Sequence, residues 1–244
     1  MGLLMRPVVA AGTLAALPLL GLQGLWVRLR TPVLPEAGPP TTGMAYPLHI
    51  TNQATLHLLV IGESTAAGVG APSHAVGLTG CTAPALATRM NRPVAWRALG
   101  RSGATAADVR RELLPSLEQP VADVVLVALG VNDTIRRTAP AAWHTEIAAL
   151  VTDLRRRFPP TTIVLAGVPA MARFPALPSP LRHFLGAHGT RLDRELADLA
   201  AATPGVCHCP TPLPDPYHFA SDRFHPGPAG YAAWGEIVAA CLEY

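Results

Sequence analysis

The stretch 56–70, LHLLVIGESTAAGVG, sets the strongest limit on what this chain can fold into. A short run of Leu, Val and Ile closed by Gly62 reads as a strand buried on both faces, and such strands belong to parallel sheets covered by helices. Whatever follows lies at the carboxyl edge of the sheet, where open α/β sheets bind ligands. Here the chain delivers one small hydroxyl residue, Ser64, into a segment of Gly, Ala and Thr with little bulk. From this stretch alone Ser64 is either a cap for the next helix or a nucleophile.

The remaining chain repeats the strand pattern. Strands are expected at 94–99, 124–129, 162–166 and 206–209, and helices at 80–90, 105–117, 140–158, 180–202 and 228–242. Alternation of this kind predicts a parallel sheet with helices on both faces and right-handed crossovers. With 244 residues, half of them hydrophobic and 14% charged, the chain holds one sizeable α/β core and leaves little room for a second domain. The strands at Gly62, Leu99 and Leu129 run straight into glycine-bearing loops.

The first forty residues are of another kind. No charge occurs from Pro7 to Val27, and Arg6 on one side and Arg28 and Arg30 on the other bracket the segment. The expected organisation is therefore a hydrophobic anchor or signal segment over 1–30, a Pro/Gly-rich linker over 31–54 and a folded domain over 55–244. No small-x-small site follows the apolar run before Arg28, which favours an uncleaved helix attached to a membrane. Cleavage would instead release a secreted or periplasmic protein. The flanking positive charges balance, so the side of the membrane stays open.

Charge and cysteines narrow the function classes. A net charge of +3 with scattered basic residues lacks the concentrated stripe that nucleic-acid binding needs. Cys81, Cys207, Cys209 and Cys241 form no CxxC pair and no zinc spacing. Cys207 and Cys209 share one face of a strand while His208 points away, and the four are read as buried small residues rather than a metal site or a disulfide.

Near the end, Asp222-Arg223-Phe224-His225-Pro226 places an acid three residues before a His at a helix start. By itself such a pair is either a loop salt bridge or a base held by its carboxylate. Four stretches together, Gly62-Glu63-Ser64, Gly100-Arg101-Ser102-Gly103-Ala104-Thr105, Gly130-Val131-Asn132-Asp133 and the Asp222–Pro226 block, resemble the SGNH or GDSL-type hydrolase family in content and order. The resemblance implies a three-layer α/β/α flavodoxin-like fold with a five-stranded parallel sheet, and hydrolysis of esters or thioesters without a metal or other cofactor.

It also assigns roles. Ser64 is the expected nucleophile, His225 its general base and Asp222 the residue that orients His225. The oxyanion hole is expected from the backbone N–H groups of Ser64 and Gly103 and the side-chain amide of Asn132, with Gly100 the rival within its loop and a strand-end turn the other reading of Asn132. Glu63 departs from the family's Asp, which puts loop packing rather than chemistry in question. The segment is not the GxSxG elbow of α/β-hydrolases, since Ala66 stands where that motif has its second Gly. His49, His57, His144 and His183 are expected to be structural, whereas His208, Tyr217, His218, Phe219 and the 171–175 stretch lie nearer the site edge.

The expected activity is cleavage of small-molecule or lipid esters. A carbohydrate O-deacetylase or thioesterase using the same site, and a binding module without catalysis, remain as alternatives; function belongs to the site rather than the fold.

Overall fold

Leu56–Gly62 (β2) is buried along almost its whole length, and its successive side chains divide between two cores. Leu59 and Ile61 face one, Leu58 and Val60 the other, as the two-residue repeat of a strand requires. A computed structural model describes residues 6–49, 52–118, 121–211 and 215–242, with side chains from residue 18 onward. The other strands read from the sequence are Val94–Gly100 (β3), Val124–Ala128 (β4), Thr162–Ala166 (β5) and Val206–Cys209 (β6). All five run parallel, in the spatial order β3-β2-β4-β5-β6.

The sheet has one strand more than expected. Thr42–Ala45 (β1) pairs antiparallel with β3, from Thr42 opposite Arg97 to Ala45 opposite Val94, making a mixed six-stranded sheet. Its residues lie in the segment read as linker. TGMA is a short edge strand with one side largely exposed, so it carries no apolar run to announce it. The residues before it are also bound to the domain: Glu36 accepts the Ser102 N–H at 2.7 Å, and the Ala37 N–H donates to the Ala67 carbonyl.

Helices cover both faces. Leu78–Met90 (α2) and Pro228–Ala240 (α7) pack together over one, burying Leu86, Tyr231, Trp234 and Val238. The other carries Pro140–Arg157 (α5), Leu181–Ala202 (α6) and a composite segment in which Ala106–Asp108 (α3) runs on through a π turn and a 3-10 turn to Ser116. Trp143 of α5 is fully buried and donates its indole N–H to the Leu192 carbonyl of α6 at 3.1 Å.

The N-terminal helix Arg6–Arg30 (α1) is docked on the domain by its last turns. Leu20 is buried with Met171, Phe174, Leu177, Leu181 and Leu185. Gln23, a polar residue within the uncharged run, donates to the Ser179 carbonyl at 2.8 Å and accepts the Leu181 N–H at 3.0 Å. Among the described residues no helix is long and apolar enough to cross a membrane.

Candidate active site

The strand order reverses at β2, whose neighbours are β3 on one side and β4 on the other. Ligands bind at such a switch point in open α/β sheets. Gly62 and Gly100 sit opposite each other at the ends of β2 and β3. A Cβ on Gly62 would collide with the Ala128 carbonyl, and one on Gly100 with the backbone of Ala66 and Ala67. The two glycines let the loop after β2 settle onto the sheet edge. Within it the Ala67 N–H bonds back to the Glu63 carbonyl and the Val69 N–H to the Ser64 carbonyl, so the chain coils around the buried Ser64. The buried Tyr231 hydroxyl of α7 closes the loop by donating to the Val69 carbonyl at 2.6 Å.

Ser64, His225 and Asp222 come together from opposite ends of the chain. The Ser64 Oγ lies 3.0 Å from His225 Nε2, and His225 Nδ1 lies 2.6 Å from Asp222 Oδ2. A carboxylate accepts from Nδ1–H, which leaves Nε2 to accept the serine proton. Asp222 Oδ1 also accepts the Phe224 and His225 backbone N–H groups, each at 3.0 Å. Arg223 between them takes a left-handed φ of 59°, and the Ala220 N–H bonds to the His225 carbonyl, so a tight turn aims the imidazole inward. Burial by itself would raise the Asp222 carboxyl, but the His225 ring and these two N–H groups outweigh it and hold it below its ordinary value.

The segments that carry Gly103 and Asn132 follow β3 and β4, the two neighbours of β2 in the sheet. Gly103 has a φ of 80°, and the place of its missing Cβ is open space. Arg136 holds the Gly103 carbonyl at 3.0 Å. Gly100, by contrast, is packed against the serine loop. Asn132 belongs to a short helix, Val131–Arg136 (α4), that is not among the helices expected from the sequence. Its amide donates one hydrogen to the Ala104 carbonyl at 3.1 Å, and an amide nitrogen carries two.

The residue that departs from the family pattern joins these parts. Glu63 is buried, and its carboxyl oxygens accept the Val131 N–H at 2.8 Å and the Asn132 N–H at 2.9 Å. Burial drives its pKa up to about 7 against the opposing effect of those N–H groups, with the neighbouring Asp133 adding to the rise. Asp133 in turn accepts the Ala106 N–H and the Thr138 hydroxyl, tying α4 to α3.

A largely apolar pocket opens beside the serine, with Leu129, Pro169, Phe174, Phe219, Phe224 and Trp234 in its lining. Phe174 meets Phe219 and Phe224 edge-on at 5.4 and 5.2 Å between ring centres. Of the residues placed near this edge from the sequence, His218, Phe219 and Phe174 of the 171–175 stretch reach the pocket. Tyr217 is mostly exposed, and Met171 is buried behind the wall. His208 turns to Asp193 at 2.9 Å, and His57 pairs with Asp123 at 3.1 Å. His144 pairs with Glu195, and His183 contacts the Ser179 hydroxyl. Phe224 and Trp234 escaped the sequence reading. Phe224 had a signal, as the neighbour of His225, and Trp234 belongs to the buried stripe Tyr231, Trp234, Val238 of α7.

The profile of the GDSL-like Lipase/Acylhydrolase family matches residues 60–233. A GDSL-like esterase of Mycobacterium tuberculosis is 26% identical over 200 residues; the match takes in 77% of this chain and 62% of that protein's length. Among solved structures, TesA superposes with a TM-score of 0.61 at 22% identity, over 77% of this chain and 98% of that one. The lipase Lip_vut3 from a goat rumen metagenome gives 0.58 at 18% identity, over 77% and 97%. A family two carbohydrate esterase from Clostridium thermocellum gives 0.56 at 18%, over 76% and 62%. These structural likenesses establish a shared fold.

Proposed function

Since this chain belongs to the GDSL-like Lipase/Acylhydrolase family, we propose that it is a serine hydrolase that cleaves carboxylic esters with an apolar acyl group through an acyl-enzyme on Ser64. The observation that carries the reading is the continuous relay from Asp222 through His225 to Ser64, at 2.6 and 3.0 Å. His225 takes the Ser64 proton as Oγ attacks the acyl carbon, then returns it to the departing alcohol. Water enters by the same route and releases the acid. Asp222 fixes the tautomer of His225 and stabilises the imidazolium that forms.

The tetrahedral intermediate places negative charge on the former carbonyl oxygen. Its donors are the backbone N–H groups of Ser64 and Gly103 and the second amide hydrogen of Asn132. Ala104 holds the first hydrogen, which fixes the amide before substrate arrives. Preorganised donors of this kind stabilise the transition state without reorganising during the reaction.

The aromatic wall supports an apolar acyl group over an acetylated sugar. Phe174, Phe219 and Phe224 offer contact area, whereas a sugar needs several converging polar groups. We place the catalytic unit from about residue 36 onward, because β1 and the strand of chain before it are bound into the domain. The N-terminal helix serves as a lipid-facing attachment, lying along a membrane surface. Leu19, Leu22, Leu25, Trp26 and Leu29 are exposed on its described part, and Arg28 and Arg30 follow them.

The test compares the full chain with its Ser64→Ala form on nitrophenyl acetate, butyrate, octanoate and palmitate. Loss of several orders of magnitude in kcat on Ser64→Ala, with butyrate or octanoate preferred to acetate, is expected. A preference for acetylated oligosaccharide or for thioesters would shift the substrate class and keep the mechanism. A folded protein without activity on any acyl donor would return it to the binding modules.

A further inference from the structure

Cys209 ends β6 and is fully buried, and Cys241 directly follows α7 and is half-buried. Their sulfurs lie 2.7 Å apart, although 32 positions separate them in the chain. That is well inside the distance at which two unbonded sulfurs rest against each other. It places the pair within a small side-chain adjustment of a bond of about 2.05 Å. Cys207, on the same face of β6, instead directs its thiol to the Ile163 carbonyl at 3.7 Å. Cys81 lies in α2.

We propose that Cys209 and Cys241 are a disulfide site, and that the bond clamps both ends of the segment that carries Asp222 and His225. That segment leaves the sheet at Cys209, crosses the site edge and returns as α7. Its central turn is held by hydrogen bonds to Asp222, and at its ends the Cys209 thiol of β6 lies 3.8 Å from the Ile237 carbonyl of α7. A covalent link between them removes chain entropy from the unfolded state and limits how far the His225 turn can drift from Ser64.

The chemistry is a two-step exchange with a small disulfide oxidant such as oxidised glutathione. The more accessible Cys241 thiolate attacks one sulfur of the oxidant, expelling a thiolate and forming a mixed disulfide. The Cys209 thiolate then attacks the Cys241 sulfur and expels the second. Two thiols of the protein lose two electrons and two protons, and the oxidant is reduced to two thiols.

The test incubates the full chain with oxidised glutathione, alkylates the remaining thiols under denaturing conditions and maps the peptides by mass spectrometry. The expected product has Cys81 and Cys207 alkylated and one peptide pair joining Cys209 to Cys241. Four alkylated cysteines, or a pair that includes Cys207 or Cys81, would overturn the proposal. A melting series gives an independent reading. Dithiothreitol should lower the Tm of the oxidised protein by roughly 5 to 12 °C and leave that of the Cys241→Ser form unchanged. Equal melting of the oxidised protein with and without reductant would also overturn it.

Discussion

A carboxyl oxygen of Glu63 accepts the backbone N–H of Asn132 at 2.9 Å, so the residue beside Ser64 holds the helix that carries Asn132, the amide proposed for the oxyanion hole. The second oxygen takes the neighbouring Val131 N–H. In Glu63→Gln one of these N–H groups meets an NH2 instead of an oxygen. A displaced Asn132 should lower kcat on the order of ten- to a hundredfold. An unaltered kcat in a folded variant would show that α4 is positioned without Glu63.

The same residue predicts a pH signature in stability. Burial raises the Glu63 pKa from 4.5 in the unfolded chain to about 7 in the native state, so the native protein keeps a proton that the unfolded chain has released. That contribution is complete below pH 4.5 and is lost as pH rises through about 7. Across this window the unfolding free energy of the wild type should fall relative to Glu63→Gln by up to about 1.4 kcal/mol per pH unit. Urea titrations of both proteins across the window read the slope; parallel curves would exclude Glu63 as the titrating group.

Asn132→Ala should reduce kcat by about 100- to 1000-fold, the usual cost of one oxyanion donor, with a much smaller change in KM. Steady-state kinetics on a single nitrophenyl ester is sufficient. A change confined to KM would make Asn132 a substrate-binding residue instead.

Asp222→Asn keeps the size of the side chain and removes its ability to fix the His225 tautomer. A fall in kcat on the order of 10,000-fold is expected. The wild-type carboxyl lies below its ordinary value of 3.8, so its contribution to stability is present above that pH and is lost as acid protonates it. Below about pH 4 the variant should therefore lose stability less steeply than the wild type, a difference readable by circular dichroism.

Phe174→Leu preserves an apolar wall while removing both edge-on ring contacts. The octanoate-to-acetate ratio of kcat/KM should fall about tenfold. An unchanged ratio would place acyl recognition elsewhere in the pocket.

A chain beginning at residue 46 lacks β1 and bares the edge of β3. Compared with one beginning at residue 31, it should lose about 2 to 4 kcal/mol of stability from the missing backbone ladder together with the Glu36–Ser102 and Ala37–Ala67 hydrogen bonds. Urea unfolding measures this, and equal midpoints would show that neither β1 nor the residues before it stabilise the domain.

What could be read from the sequence follows burial. Strands covered on both faces, such as Val124–Ala128, are continuous apolar runs and declare themselves, as does the helix entered through Pro140. Thr42–Ala45 does not, since an exposed edge imposes no pattern on four residues. Asn132 was legible as an amide donor through the family resemblance, but α4 has only six residues and leaves no periodic pattern, and what Asn132 shares with Glu63 is a long-range contact. Ser64, Asp222 and His225 were legible as motifs, but their meeting depends on the whole sheet lying between them. Gln23 shows the limit most plainly: a polar residue in an apolar run carries no sign of the carbonyl and N–H that receive it.

The paired glycines at the ends of β2 and β3 leave main chain as the floor beneath the serine loop. A floor without side chains offers mutation nothing to resize. On the proposed mechanism, diversification toward new acyl donors, in nature or in a laboratory library, is channelled to the phenylalanine wall rather than to this floor.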